Sequence, residues 1–252
     1  PDKPYWQTLI LVVLCMVFAR SAAMAFNRLI DRDIDARNAR TQSREIPAGS
    51  ISPTQARFFV IINCLLFVAT TWFINPLCFF LSPVALIVIL GYSLTKRFTA
   101  LCHLVLGLGL ALAPVGAFLA VTARFQWAPV ILGIAVLCWV SGFDIIYALQ
   151  DEEFDREHAL NSIPAFLGKK RALIVSTLLH FVTAGMIILF GVMIDGGWIF
   201  WSGAAAFLVL LTYQHFLVKP NDLSKVNLAF FTTNGIASVV FALFAIGELL
   251  IR

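Results

Sequence analysis

The chain has 252 residues, of which 60% are hydrophobic and only 13% are charged, and its net charge is +4. This composition, with a mean hydropathy of +0.90, lies far outside the range of soluble domains. Nothing in it indicates nucleic-acid binding, because the basic residues are not gathered on an exposed aromatic platform.

Eight apolar segments follow one another along the chain, and each has the roughly 20 residues that a membrane helix needs. They are continuously apolar instead of alternating, which favours helices over a barrel. We therefore predict an all-α, polytopic membrane helical bundle forming a single domain over residues 1–252. The predicted segments are 6–26, 54–74, 76–95, 102–122, 128–149, 171–192, 197–218 and 226–250.

A first acidic cluster begins where the first apolar segment ends, and it reads Asn27-Arg-Leu-Ile-Asp31-Arg-Asp33-Ile-Asp35. Residues four apart lie on one face of a helix, so Asn27, Asp31 and Asp35 should form a ladder of polar side chains. Asp33 points off this face, and we expect it to be solvated or paired with arginine.

Basic residues follow this ladder in the next two loops of the same predicted side. Arg40 and Arg44 lie in the loop after the first segment, and Tyr92-Ser-Leu-Thr-Lys96-Arg97 ends the third. These charges could simply set topology, with Tyr92 at the membrane interface. Alternatively, Lys96 and Arg97 are donors for a phosphate group that lies between this ladder and a second one later in the chain.

A second acidic cluster ends the fifth segment and reads Asp144-Ile-Ile-Tyr147-Ala-Leu-Gln-Asp151-Glu-Glu-Phe-Asp155. On a helix, Tyr147, Asp151 and Asp155 form a second ladder, and Asp144 lies seven residues before Asp151. Asp144 falls within a predicted span, where carboxylates are costly and usually functional. The neighbouring residues 152 and 153 point off the ladder and, like Asp33, should be solvated or paired with arginine.

The distribution of Lys and Arg predicts the orientation of the segments. Thirteen of these residues fall in alternate loops on one side of the membrane, whereas Lys3, Arg124 and Arg252 fall on the other. Arg20 and Arg57 lie inside predicted helices near the basic side. The positive-inside rule makes the basic side cytoplasmic, and both acidic ladders fall on it.

The two halves of the chain look related, which suggests an internal repeat of residues 6–122 and 128–250. In each half a span leads to an acidic ladder, and Asp31 lies 120 residues before Asp151. We expect the repeat to place two similar helix ends across one pocket. Because the chain starts at Pro1 and its first segment would enter from outside, we also expect a further helix upstream.

Two acidic ladders at the membrane edge indicate a site for divalent cations, since Mg²⁺ is usually held by a few carboxylates together with substrate phosphates. Several alternatives remain at this point. Each ladder could be a solvated helix end, and clustered carboxylates also occur in terpene synthases and CDP-alcohol phosphotransferases. A cation- or proton-coupled transporter would also carry carboxylates in its spans.

The combined motifs resemble those of the UbiA superfamily of intramembrane aromatic prenyltransferases. Asn27-xxx-Asp31-xxx-Asp35 is similar to its first aspartate motif, and Asp144-xx-Tyr147-xxx-Asp151-xxx-Asp155 to its second. The loop from Arg40 through Gly49, the Tyr92-xxx-Lys96-Arg97 stretch and Ser162 also match. Within the superfamily the chain looks most like 4-hydroxybenzoate polyprenyltransferases.

This resemblance implies nine membrane helices around a central cavity, of which the first is absent here. It implies transfer of a polyprenyl group from an allylic prenyl diphosphate to an aromatic acceptor such as 4-hydroxybenzoate, in quinone biosynthesis in a bacterial inner membrane. Haem, chlorophyll-type and glycerol-phosphate acceptors are used by other branches of the superfamily, and neither the acceptor nor the tail length is decided.

The resemblance also assigns roles to residues of this sequence. Mg²⁺ would be bound by the four ladder aspartates, Asp31, Asp35, Asp151 and Asp155, which would act in catalysis together with Lys96. Substrate would be bound by Asn27, Arg40, Arg44, Tyr92, Arg97, Asp144 and Tyr147.

Overall fold

The structure, a computed structural model, describes residues 5–251, so Lys3 and Arg252 of the charge count lie outside the described residues. The described part of the chain is helical and contains no strand. Its α-helices are α1 (Tyr5–Asp35), α2 (Pro53–Ile74), α3 (Pro76–Thr95), α4 (Cys102–Thr122), α5 (Trp127–Ala148), α6 (Glu152–Glu157), α7 (Ile163–Leu167), α8 (Lys169–Met193), α9 (Trp198–Leu217) and α10 (Asn234–Ile251). A 3₁₀ turn (Leu149–Asp151) joins α5 to α6, and a π-helical segment (Leu228–Thr233) leads into α10.

The prediction of eight membrane spans is confirmed. Eight helical stretches of the described chain are long and apolar enough to cross a membrane. They carry many exposed large apolar side chains, such as Phe80 and Val209, as expected where the surrounding medium is lipid. The spans are Tyr5–Asp35, Pro53–Ile74, Pro76–Thr95, Cys102–Thr122, Trp127–Glu157, Lys169–Met193, Trp198–Leu217 and Leu228–Ile251.

The chain divides into two compact units, and the first consists of the described residues up to Phe98 together with Leu112–Phe125. In it α1 packs against α2 and α3. A small apolar core of Cys15 from α1, Phe67 and Ile74 from α2 and Ala120 from α4 joins them, and Leu86 of α3 packs against it. The long helix α1 continues past its apolar part to Asp35, so the whole first acidic ladder lies on one α-helix, as predicted.

Asn75 organises the tight connection between α2 and α3. Its side-chain oxygen accepts the backbone N–H of Cys78 (2.8 Å) and so caps α3, which starts with Pro76. Its side-chain Nδ2 donates to the carbonyl of Leu119 (2.9 Å) in α4. A single side chain therefore ends one span, begins the next and ties both to a third.

The second unit consists of Thr99–Ala111 and the residues from Gln126 onward. In it α5 packs against α8, and α9 packs against α10. Close approach of α5 and α8 depends on Gly142, because a Cβ there would lie 2.2 Å from Nε2 of His180. The span containing α5 is the most buried of the described spans, with residues such as Ala135, Val140 and Ile145 enclosed, so α5 is the central helix of this unit.

The second acidic ladder does not lie on one uninterrupted α-helix, which corrects the sequence prediction. Tyr147 belongs to α5, Asp151 ends the 3₁₀ turn and Asp155 belongs to α6. A 3₁₀ turn has about 3.0 residues per turn instead of 3.6, so it rotates the following residues relative to α5. As a result Glu152, expected off the ladder face, is buried together with Asp155.

Candidate active site

The first ladder presents two buried carboxylates at the end of α1. Asp31 and Asp35 are only 3% and 4% exposed, although the stretch of sequence that contains them is rich in charged residues. Asn27, one turn before Asp31, donates from Nδ2 to Oδ2 of Asp31 (3.1 Å). By contrast, Asp33 is well exposed and lies 3.6 Å from Arg32, as predicted for a residue off the ladder face.

Asp31 is held by the two cations at the end of α3. Nη2 of Arg97 donates to Oδ1 of Asp31 (2.9 Å) and to the carbonyl of Ile30 (2.9 Å). Nζ of Lys96 lies 3.7 Å from Oδ2 of the same carboxylate. The arginine is also anchored to its own helix through the carbonyl of Ser93. The stretch beginning at Tyr92 is thus brought onto the first aspartate motif, as the predicted phosphate-binding role requires.

Asp35 is held by a cation from the loop that follows α1. Nη1 of Arg44 donates to both carboxylate oxygens of Asp35, at 2.8 and 2.9 Å. The loop is stabilised beside this pair by buried Thr41, whose hydroxyl donates to the carbonyl of Asp35 (3.2 Å). Gly49 has a φ of 76° there, a conformation that favours glycine. Loop folding therefore brings Arg44 to the last carboxylate of the helix.

The other predicted residues of the first unit have different surroundings. Tyr92 is half-buried in the last turns of α3, and its carbonyl accepts the hydroxyl of Thr95 (2.5 Å). Arg40 is exposed in the loop after α1, where its backbone N–H donates to Oδ1 of Asn38 (2.9 Å). Both residues lie in the segments that carry Lys96 and Arg44.

In the second unit, Tyr147 belongs to an aromatic cluster that links α5 to the π-helical segment. Its ring stacks on Phe230 with centroids 4.1 Å apart and meets Phe231 edge-on at 5.9 Å. Phe143, one turn earlier on α5, contacts Phe230 edge-on at 5.3 Å. The tyrosine of the second motif is therefore oriented by aromatic packing.

The second acidic segment includes an ion-pair group around Glu152, of which the sequence predicted the arginine but neither the burial nor the lysine. Glu152 is 6% exposed and pairs with Arg156 one turn later and with Lys169 at the start of α8 (3.7 Å). The predicted pairing with arginine is therefore confirmed. Asp155, three residues further along the chain, is also buried, whereas Asp151 is half-buried. Glu152 thus helps hold the short helix α6 that presents Asp155.

Asp144 has a partner that sequence reasoning also missed. Nδ1 of His103, in the first turn of α4, lies 2.6 Å from Oδ2 of Asp144. The signal available in the sequence was a histidine in an apolar segment, at the same membrane end as an intramembrane carboxylate. Their 41-residue separation gives no local pattern, so only the packing of α4 on α5 reveals the pair.

The donor chemistry of both ladders fits Mg²⁺, which takes hard oxygen ligands and often only one or two carboxylates with substrate phosphates and water. Asp31, Asp35, Asp151 and Asp155 supply such oxygens. Within residues 5–251, no group of three or more His, Cys, Asp or Glu side chains is gathered around a possible metal position. The four aspartates are thus candidate ligands of Mg²⁺ by their chemistry and not by a preformed cluster in the described residues.

Comparison with known proteins gives the family. The model of the UbiA prenyltransferase family matches residues 1–236. A 4-hydroxybenzoate octaprenyltransferase of Aliivibrio fischeri is 30% identical over 242 residues, which are 94% of this chain and 83% of that protein. A 4-hydroxybenzoate octaprenyltransferase of Francisella tularensis subsp. mediasiatica is 29% identical over 241 residues, which are 96% of this chain and 84% of that protein.

Solved structures agree with this result. The apo structure of a UbiA homolog from Aeropyrum pernix matches with a TM-score of 0.90 at 28% identity and covers 99% of this chain and 91% of that one. A UbiA homolog from Archaeoglobus fulgidus, solved with bound GPP and Mg²⁺, has the same fold, with a TM-score of 0.71 at 21% identity over 94% of this chain and 86% of that one. The family expected from the aspartate motifs is confirmed, and it replaces the transporter alternative. This integral, multi-pass membrane protein belongs to the UbiA prenyltransferase family.

Proposed function

We propose that this protein transfers a polyprenyl group from an allylic prenyl diphosphate to an aromatic acceptor such as 4-hydroxybenzoate, in the biosynthesis of a quinone. The names of the Aliivibrio and Francisella relatives support this substrate pair. The structural observation that carries the proposal is the pairing of buried Asp31 and Asp35 with three cations: Lys96, Arg97 and Arg44. A diphosphate and its counter-ion need this combination of charges.

In this proposal the four ladder aspartates hold Mg²⁺, and the Mg²⁺ bound together with GPP in the Archaeoglobus homolog supports the choice of metal. Bound there, the ion would stabilise the negative charge that develops on the departing diphosphate. The carboxylates Asp31 and Asp35 are suited to this role because the helix α1 already holds them buried and one turn apart. Asp151 would play the same part from the end of the 3₁₀ turn after α5, and Asp155 from α6.

The cations paired with the first ladder would bind the diphosphate itself. Lys96 and Arg97 are about one-third exposed, so they can exchange part of their contact with Asp31 for a diphosphate oxygen. Arg44 can do the same from Asp35, and Arg40 follows in the same loop. Charge-assisted hydrogen bonds of this kind stabilise a leaving group as its charge grows. Asn27 would orient Asp31, while Tyr92, Asp144 and Tyr147 would contact substrate.

The bond changes follow from an electrophilic aromatic substitution. The bond between C1 of the prenyl chain and the diphosphate oxygen breaks, and its electron pair leaves with the diphosphate. A ring carbon of the acceptor forms a new bond to C1, and the ring proton is released so that aromaticity is restored. Arg97 and Lys96 stabilise the departing charge, and the apolar spans keep water from the electrophilic carbon.

We also propose that the protein lies in a bacterial inner membrane with its reaction at the cytoplasmic side. The thirteen basic residues of the cytoplasmic loops support this orientation, and the two acidic segments lie at the same membrane end in the predicted topology. The single prenyltransferase domain and its internal repeat, residues 6–122 and 128–250, likewise belong to the proposal.

The experiment is an assay of product formation in membranes that contain the protein. Membranes receive 4-hydroxybenzoate or a hydroxynaphthoate, with prenyl diphosphates of several lengths, and products are identified by mass spectrometry. Prenylated hydroxybenzoate should form with Mg²⁺, disappear in excess EDTA and return when Mg²⁺ is restored. Full turnover in EDTA would contradict the metal assignment, and no product from any hydroxyarene would contradict the proposed acceptor class.

A further inference from the structure

His103 is a buried histidine whose two ring nitrogens both have defined partners within the second unit. Its side chain is 4% exposed, and Nδ1 lies 2.6 Å from Oδ2 of Asp144. Nε2 accepts the backbone N–H of Ile163 at 3.3 Å, at the start of α7. Because Nε2 is an acceptor, Nδ1 carries the proton and donates it to the carboxylate. The ring is therefore fixed in one orientation and one tautomer.

The backbone around His103 is held as firmly as its ring. The hydroxyl of Ser141 in α5 donates to the carbonyl of His103 (3.0 Å). One turn further along α4, Gly107 allows close approach of the two helices, because a Cβ there would lie 2.4 Å from Oγ of Ser141. Precise placement of this kind, by packing and by hydrogen bonds to the backbone, is what a functional side chain needs to orient another.

Asp144 differs from the ladder aspartates in both depth and partner. It lies seven residues before Asp151, which corresponds to about 10 Å along a helix, and it is inside the span instead of at its end. Its side chain remains 23% exposed, while His103 occupies one of its oxygens. The carboxylate is thus anchored on one side and accessible to a ligand on the other.

The chemistry of the two proposed substrates decides which one suits this carboxylate. An ionised carboxylate only accepts hydrogen bonds. A prenyl diphosphate offers a hydrocarbon chain and an anion, neither of which donates one. A hydroxyarene offers an O–H, and the carboxylate end of 4-hydroxybenzoate would be repelled by Asp144. The hydroxyl end of the acceptor is therefore the group that fits.

We propose that Asp144 binds the hydroxyl group of the aromatic acceptor and that His103 is the positioning residue that orients it. This inference rests on the proposed function and names the half of the reaction to which the dyad belongs. The ladder aspartates serve the diphosphate, and the His103–Asp144 pair serves the acceptor.

Two substitutions of His103 separate this role from a purely structural one. H103L removes the donor to Asp144, whereas H103N places an amide N–H near the position of Nδ1. Neither variant has an acceptor at the position of Nε2, because the asparagine side chain ends at the depth of Nδ1 and leucine has no acceptor, so both lose the hydrogen bond from the N–H of Ile163. T183A, which removes the hydrogen bond from Thr183 in α8 to the carbonyl of Ala135 in α5 and touches neither His103 nor Asp144, is the control. Gel filtration and melting temperature in detergent establish that each variant is folded.

The readouts are the KM for 4-hydroxybenzoate, the KM for the prenyl diphosphate, and the inhibition constant of benzoate, which lacks the hydroxyl. H103L should raise the KM for 4-hydroxybenzoate by at least about tenfold, the scale of one hydrogen bond to a charged group. The benzoate constant, the prenyl diphosphate KM and the Mg²⁺ requirement should stay within about twofold of the unsubstituted protein. H103N should recover most of the loss, and T183A should show none.

Other outcomes overturn the inference. Equal losses in H103L and H103N would make His103 a structural tie to Ile163, and a raised Mg²⁺ requirement would place Asp144 with the metal. Unchanged kinetics in H103L would also reject it. If H103L does not fold, D144N is the deciding variant, because its side-chain oxygen still accepts from His103 while the charge is removed. A normal KM for 4-hydroxybenzoate in D144N would show that Asp144 does not bind the acceptor. Failure of the unsubstituted protein to prenylate any hydroxyarene would instead reject the proposed function, and this inference with it.

Discussion

Asp31 and Asp35 are buried charges, and burial of a carboxylate costs several kcal/mol unless a partner compensates it. Each has that compensation from a cation on a different segment, Arg97 from the end of α3 and Arg44 from the loop after α1. These contacts explain how α1 can carry two carboxylates into a nearly fully buried position. The same contacts place, beside the aspartates, the positive charges that a diphosphate would need.

The role of the first ladder can be tested by neutralising one carboxylate at a time. D31N and D35N should each lower prenyl transfer by at least about a hundredfold, because each removes a ligand of the proposed metal–diphosphate assembly. Product formation under saturating substrate is the measurement. D33N is the matched control, since it makes the same change on the same helix at a side chain that is 75% exposed. If D31N and D35N were as active as D33N, the ladder would be only a helix end.

Lys96 allows a test that separates catalysis from membrane topology. Lys96→Ala should insert correctly and lose about 2–4 kcal/mol of transition-state stabilisation, the scale for removal of one preorganised donor. Lys96→Arg preserves the charge for topology but replaces a compact ammonium by a planar fork, so it should recover only part of the loss. The ratio kcat/KM for the prenyl diphosphate measures the loss in Lys96→Ala and the partial recovery in Lys96→Arg.

The control for Lys96 is Arg124→Ala, which removes a basic residue from the opposite side of the predicted topology. Arg124 is exposed in the turn after α4, away from any acidic motif in sequence. Should Lys96→Ala match this control in activity, Lys96 would serve topology alone and the placement of the diphosphate would be wrong.

At the scale of elements, the helix boundaries carry most of the specific information. α2 starts with a capping box in which Ser52 and Gln55 satisfy each other's backbone N–H groups. α7 starts with Ser162 as its cap, and Gly168, with a φ of 77°, ends it and starts α8. These short-range rules set the boundaries of α2, α7 and α8, and the functional side chains likewise lie at or near helix ends.

Asn75 gives a prediction at this scale, because it has two separable roles. N75A removes both the cap of α3 and the donor to Leu119, and it should lower stability by about 2–3 kcal/mol. N75D keeps an oxygen for the cap but loses the donor, so it should cost about half as much. Thermal unfolding in detergent is the measurement. Equal melting temperatures for the two variants would show that the cap contributes nothing, and a normal melting temperature for N75D would show that the link to α4 contributes nothing.

At the scale of the whole molecule, orientation is the property that charge alone predicts. Eight spans alternate the loops between two sides, and the basic loops all fall on the side of the acidic motifs. Family membership does not report which side faces the cytoplasm. The orientation and the internal repeat therefore remain predictions.

The orientation can be measured with single cysteines at exposed loop positions. Gln42→Cys lies in the loop after α1, and Gln126→Cys lies in the turn before α5. In sealed inner-membrane vesicles turned inside out, a membrane-impermeant maleimide should label position 42 and leave position 126 unlabelled, and in intact cells the pattern should reverse. The unsubstituted protein reports labelling of its native cysteines. The reverse result would place the acidic segments outside.

The sequence by itself determined the properties that depend on composition and on short-range periodicity. Apolar runs of about 20 residues predict spans because lipid cannot satisfy backbone hydrogen bonds, and all eight were confirmed. The four-residue spacing from Asn27 to Asp35 predicted a ladder because an α-helix repeats every 3.6 residues. The same motifs were specific enough to predict the family.

Only the tertiary structure decided the properties that depend on residues distant in the chain. His103 meets Asp144, and Arg97 meets Asp31, because helices pack side by side, and the separations of 41 and 66 residues leave no local pattern to detect. Glu152 is buried where a three-residue 3₁₀ turn rotates the acidic segment relative to α5, and its second partner, Lys169, comes from another helix, so the four-residue spacing could predict neither. Periodicity states which side chains share a face of one helix, whereas packing between helices decides which partner each of those side chains meets.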